Sequence, residues 1–260
     1  MITVGAKNPH PPLFIIIGGK EKPEDLSDIV SDDEAVIYYG GSGWMTKELF
    51  RKYSEMFVSW IQEQRTNGKI GKDEPVLLFL DSHSSRGDPI SLEMYQAENV
   101  MVITFPGQVT HVIQPFDVGI AGPLRVYYRK ILRRLKLKAK EENKNKKLSE
   151  REKRRMMIQA LVEASMQATI GSNVAAAFHK TGLWPRNLQM TLSSPYVEND
   201  DENPKHPYGR YPSRSLLVGR IITDDDFIEE LREREREVSE MNTLTTLFAP
   251  THLGQKASLI

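Results

Sequence analysis

Cysteine is absent from the chain. That excludes disulfides, thiolate metal sites and cysteine nucleophiles, and it fits a reducing compartment. Long apolar runs are absent too, since none approaches the roughly 20 residues needed to cross a bilayer. The opening stretch, MITVGAKNPHPPLFIIIGG, lacks the charged-then-apolar order of a secretory signal. The expectation is a soluble, intracellular protein. Net charge is also lacking, because 35 Lys and Arg balance 35 Asp and Glu. What is present is 260 residues, 39% of them hydrophobic, enough to bury one principal core.

The zero net charge hides an asymmetry. Between Arg125 and Arg155 stand 15 Lys and Arg against 4 Glu, a local charge of +11. The remainder therefore carries −11, much of it in ENDDE (198–202) and DDDFIEELREREREVSE (224–240). A basic surface for a polyanion is one reading, and a solvated charged helix is the other.

Periodicity orders the chain as follows. MITVGAK alternates weakly and LFIIIG is a stronger β run, with Pro11 and Pro12 between them as a turn; EAVIYYG is a third short extended piece. Thr46 caps a helix in which Leu49, Phe50, Tyr53, Met56, Phe57, Trp60 and Ile61 share one face, and Gly68 ends it. Trp44 is expected to pack as a staple beside that cap. VLLFL (76–80) and VMVITF (100–105) are unbroken apolar strands separated by a short helix around 92–98. They predict parallel pairing in a sheet covered on both faces. An irregular stretch over 107–115 precedes a long helix from Val118 through the basic segment. SERE (149–152) is a capping box opening a helix to about Thr169; Ser172 caps a shorter one, closed by Gly182 with Trp184 anchoring its end. The reading is a principal domain over 1–187, a proline-broken linker over 188–222 and a charged helical tail over 223–260.

Two acids stand out. Asp81 ends the buried run VLLFL, and a carboxylate there needs a charge, a metal or hydrogen bonds to hold it. The next parallel strand leads into PGQVTHVIQPFDVG, which delivers Asp117. The 35 intervening residues suffice for a helix, a strand and a loop. Ligands of open α/β sheets gather beyond the strands' carboxyl ends. Two carboxylates there make an oxygen-rich site suited to Mg²⁺ or Mn²⁺. Asp117 reads equally as an ordinary helix cap.

Four ordered blocks sharpen this. SGWMTKELF, LLFLDSHSS, FPGQVTHVIQPFDVGIAGPLRVYYRK and AFHKTGLWPRN together resemble the catalytic domain of the pogo, Tigger and jerky transposases, in the mariner-related DDE superfamily that also includes centromere-binding protein B. The resemblance spans roughly 1–187 and is most specific in THVIQPFDVGIAGPL. It implies an α/β, RNase H-like mixed sheet flanked by helices, and Mg²⁺- or Mn²⁺-dependent DNA cleavage and strand transfer in a nuclear protein. Asp81 corresponds to the second catalytic acid and Asp117 to the third, both as metal ligands. His83 matches the signature's first histidine, with a hydrogen bond to its own loop as the plainer role. Where the family often has a second histidine this chain has Arg86, to which no catalytic role is given. His111 and Gln114 are expected to shape the loop that delivers Asp117. The phosphates of DNA fall to Arg125, Arg129, Lys130, Arg133 and Arg134, the first turns after Asp117. A homodimer and a protein partner for the charged terminal helix remain open.

One departure matters. The family's first catalytic aspartate lies on the domain's first strand, whereas here no acid precedes Glu21. MITVGAK and LFIIIGG would be the second and third strands, so the central first strand and its acid are expected to be missing by truncation. The expectation is an enzyme with an incomplete catalytic set, inactive as it stands. The alternative is a domesticated, non-catalytic DNA-binding or interaction protein.

Overall fold

The structure, a computed structural model, describes residues 1–7, 9–19, 26, 28–106, 109–142, 147–194 and 221–247, the last seven as backbone alone. Most of the expected linker and the acidic stretch at 198–202 therefore lie outside the described residues, as does the chain beyond Leu247. In order the elements are β1 (Leu13–Ile17), β2 (Ala35–Tyr39), α1 (Lys47–Thr66), β3 (Val76–Leu80), α2 (Pro89–Ala97), β4 (Val100–Thr104), α3 (Thr110–Ile113), α4 (Ala121–Glu142), α5 (Glu150–Ala168), α6 (Gly171–Thr181), α7 (Leu188–Leu192) and α8 (Asp225–Leu247). A 3₁₀ turn (Ser84–Arg86) and a π-helical turn (Phe116–Ile120) complete them. The class is mixed α/β.

The strands form two parallel pairs. β1 runs beside β2 from Leu13↔Ala35 to Ile17↔Tyr39, and β3 beside β4 from Val76↔Val100 to Leu80↔Thr104. The parallel pairing of the two apolar runs matches the sequence reading, but the covering of both faces does not. Leu78, Leu80, Val100 and Val102 are buried, whereas Leu77 is 55% and Met101 40% exposed. One face of this pair is fully covered and the other only in part, with Phe79 and Ile103 half-buried.

MITVGAK is not a strand. Met1 and Phe14 exchange backbone hydrogen bonds across a loop. An antiparallel ladder continuing from that pair would set Thr3 opposite Pro12, which has no N–H to give. The ladder stops after one rung, and Gly5 N–H turns instead to His10 Nδ1. Met1–Ala6 and Leu77–Leu80 of β3 line one cavity of about 320 Å³. The segment therefore lies between the two strand pairs without joining them. Val76 N–H bonds Asn99, and Phe105 N–H bonds Leu80. The alternation then turns the peptide groups of Leu77 and Phe79 away from β4 and toward this cavity. Among the described residues no backbone partner meets them.

The main core lies between β3, β4 and helices α1, α2 and α8. Thr46 Oγ1 accepts from Leu49 N–H to start α1, and Leu49, Phe50, Tyr53, Phe57 and Ile61 are buried along one face. Phe50 touches Tyr53 and Tyr95 at centroid distances of 5.9 and 6.4 Å. Trp44 is 78% exposed and staples nothing. The residue immediately before the cap is Met45, which packs on this core, and Trp44 stands one position too early. From the far end of the chain Ile222, Phe227, Ile228 and Leu231 enter the same core. Ile222 N–H bonds Val102 and Thr223 Oγ1 accepts from Val102 N–H, which covers the outer edge of β4. The first turns of α8 thus spend their apolar face on the domain.

α4 and α5 pack on each other through Ile131, Ala160 and Ala164. The capping box at Ser149 and Glu152 is present with both reciprocal bonds. Ser172, by contrast, is not a cap. α6 starts one residue earlier, at Gly171, and Ile170 at the cap makes no side-chain bond. Gly182 closes it at φ 68°, a conformation natural to glycine. Trp184 is 56% exposed and lines the cavity, while its backbone N–H bonds the Phe178 carbonyl of α6 at 3.4 Å and so ties down the helix end.

Candidate functional site

Asp81 is the first residue after β3, and what holds it is an arginine. Arg86 Nε donates to Asp81 Oδ1 at 2.9 Å. The turn Ser84–Arg86 brings the two together. His83 Nδ1 accepts from Ser85 N–H and bonds Ser85 Oγ at 2.8 Å, while Arg86 Nη1 donates to that hydroxyl at 3.2 Å. The guanidinium lies over the Phe50 ring, 5.0 Å from its centroid. Its side chain is 8% exposed, against 45% for Asp81. The local bond expected of His83 is thus present, and its effect is to brace Arg86. The sequence reading gave Arg86 no role. The signal was its position five residues after a strand-end acid on a turn too tight to carry it away.

A second acid nearby went unnoticed in the sequence. Asp88 caps α2, accepting from Ser91 N–H and Oγ and from Arg51 at 3.1 and 2.7 Å. Burial pushes its carboxyl up, but the Arg51 and Ser91 hydrogen bonds overcome this and hold it below the ordinary carboxylate range. Asp-Pro ahead of an apolar run was the available signal. Asp88 is a structural acid.

Asp117 is not a helix cap. Pro115 takes that position with no side-chain bond, and Asp117 sits exposed within the π-helical turn that runs on into α4. The stretch before it is less irregular than expected, since Thr110–Ile113 forms the short helix α3. Asp81 and Asp117 line one cavity of about 450 Å³ with Thr110, Gln114 and Phe116. Gln114 therefore reaches the shared space. His111, exposed on α3, is not among its lining residues.

Gly119 sets the position of this turn. A Cβ there would lie 2.5 Å from Ala177 Cβ and 2.9 Å from its Cα, so α6 sits directly on the glycine. Gly119→Ala is expected to cost about 1–3 kcal/mol through overpacking. Gly122→Ala, where a Cβ meets nothing within 4 Å, should be neutral or stabilising by up to about 1 kcal/mol. Thermal melts of the two variants check the contrast, and equal midpoints would contradict the packing argument.

Carboxylates suit hard divalent ions, and the fit can be judged from the donors present. Among the described residues no group of three or more His, Asp or Glu could hold a metal. Of the two aspartates at the cavity, one already carries a guanidinium. A pair of ions that activates a nucleophile and stabilises a leaving group needs more free carboxylate than this. The described residues do not fit a two-metal site.

The basic helix starts where Asp117 ends. Arg125 lies eight residues on, about 12 Å along the axis. Arg125, Arg129 and Arg133 recur every fourth residue and therefore share one face with Lys136 and Lys140. Arg129, Arg133, Lys136 and Lys140 line a shallow groove with Leu132 and Leu137. Lys130 and Arg134 occupy the adjoining strip. All five predicted residues are exposed, and Arg134 is paired with Glu163 of α5 at 2.6 Å.

Comparison with known proteins bears on this arrangement. No solved structure matches the chain. One similar protein is an MFS-type transporter, clz9 of Cochliobolus lunatus, 27% identical over 172 residues. The alignment takes in 66% of this chain but only 16% of the length of that relative. Among the described residues no helix is long and apolar enough to cross a membrane. A family model for DDE superfamily endonucleases matches residues 10–176, more than half of the chain and the whole stretch from β1 through Asp81 and Asp117 into α6. The chain belongs to the DDE superfamily endonuclease family.

Proposed function

We propose that this chain is a transposase-derived DDE domain of the pogo, Tigger and jerky type, with an RNase H-like ancestry, that binds DNA and does not cleave it. The observation carrying the reading is the state of the cavity. Two aspartates share it, as a DDE nuclease requires, yet one is ion-paired to a buried arginine and no third carboxylate lines it among the described residues. The basic face of α4 begins two turns on from Asp117, about 12 Å along the axis, and supplies what phosphate contact needs: exposed guanidinium and ammonium groups spaced along a rigid helix. Such binding neutralises phosphates without reading bases, so it weakens steeply with salt. The chemistry of this chain's residues then reduces to holding and orienting a duplex against the cavity mouth.

The test uses the purified 260-residue chain on labelled duplex DNA. Binding should fall by an order of magnitude or more between about 50 and 200 mM salt. Incubation with Mn²⁺ should leave the DNA intact. Binding that ignores salt would remove the α4 interface. Metal-dependent nicking that vanishes in Asp81→Ala would instead restore the enzyme.

A further inference from the structure

The Arg86–Asp81 pair has the form of a metal site already filled from within. We propose that Arg86 is a resident counter-cation that occupies the coordination space of Asp81 and keeps a divalent ion from the pair of aspartates. The inference rests on reading the cavity as a former metal site, and it names the residue that closes it.

Four observations carry it. Arg86 Nε points at Asp81 Oδ1 from 2.9 Å, a charge-assisted bond to an oxygen that an ion would need. A guanidinium is a planar group with five N–H donors and no acceptor, so it offers a carboxylate hydrogen bonds and offers a cation nothing. The arginine cannot step aside, for its side chain is 8% exposed and is held by the Phe50 ring at 5.0 Å and Ser85 Oγ at 3.2 Å. Breaking the pair would leave that buried cation uncompensated, with a second cation beside it, which is strongly unfavourable. Finally, His83 spends its Nδ1 on Ser85 and so braces the turn that presents Arg86.

The experiment measures Mn²⁺ binding to the full chain, by titration calorimetry and by the shift in thermal midpoint that a ligand of the native state produces. Wild type should show no midpoint shift with Mn²⁺. Arg86→Gln should bind Mn²⁺ at least tenfold more tightly than wild type. Adding Asp81→Asn or Asp117→Asn to that variant should abolish the gain. Arg86→Met, which keeps an unbranched side chain over the Phe50 ring, should behave as Arg86→Gln does and serves if the glutamine variant does not fold. An Mn²⁺-dependent midpoint rise in wild type that Asp81→Asn removes would overturn the proposal, even if neither arginine variant folds. So would folded arginine variants with unchanged Mn²⁺ affinity. Either result leaves salt-dependent DNA binding unaffected, so the two readings fail separately.

Discussion

Phe50→Ala is expected to lower the thermal midpoint by about 10 °C and to cost about 3–5 kcal/mol. The ring is fully buried and lies against Tyr53 and Tyr95 in the main core. A domain of this size has only about 5–15 kcal/mol of net stability, so the loss is a large fraction of the whole. Two contributions combine. One is the cavity left where an aromatic ring stood. The other is the platform under Arg86, since the guanidinium 5.0 Å above the ring keeps its charge out of water with one fewer favourable contact. Phe50→Leu fills most of the volume without the aromatic face and should recover more than half of the midpoint. If the leucine variant is as unstable as the alanine one, the platform rather than the cavity dominates. A melt of Phe50→Ala indistinguishable from wild type would show that this core is not where the fold's stability resides.

Reversing Arg125, Arg129 and Arg133 together to glutamate should weaken duplex binding by about a hundredfold or more at moderate salt. The three lie on one face of α4, exposed, with no ion pair to any described acid. Loss of three phosphate contacts also lowers the salt dependence, by about 3 in the slope of log affinity against log salt. Arg234→Glu on α8 serves as the control. That residue is already paired with Glu230 and lies on a different helix, so its reversal should leave DNA binding unchanged. Fluorescence anisotropy across a salt series reads both quantities. If the α8 control weakens binding by a third as many decades as the α4 triple, in proportion to the charge each removes, net charge alone, not a surface on α4, attracts the duplex.

Much of the secondary structure was legible because it depends on neighbours within four residues. Thr46 and the Ser149–Glu152 box cap their helices through bonds three residues long, and Gly182 needs only its own backbone freedom. The same locality explains the misses. Ser172 has the right side chain for a cap, but the helix begins ahead of it. The alternation in MITVGAK is real, yet a strand needs a partner, and the partner offers Pro12 where an N–H was required. Leu77 and Met101 are as apolar as any core residue. Their exposure depends on which face the helices cover, a fact absent from the run itself.

The candidate site divides in the same way. That Asp81 and Asp117 end up at one cavity follows from two parallel strands joined by a helix, because parallel strands finish at the same edge. The periodic arginines on one face of α4 follow likewise from helical spacing. From its sequence alone, then, the chain determined its family, its long helices, the pairing of β3 with β4 and the charge carried by α4, but not the short helices α3 and α7, which fall in stretches read as irregular and as linker. Tertiary structure alone decided that Arg86 folds back on Asp81, that Ala177 rests on Gly119 and that Met1–Ala6 runs between the two strand pairs with a single rung to Phe14. Spacing along a chain settles which residues can share a face or an edge, but which charge touches which is settled by packing, where a few ångströms separate a metal ligand from one side of an ion pair.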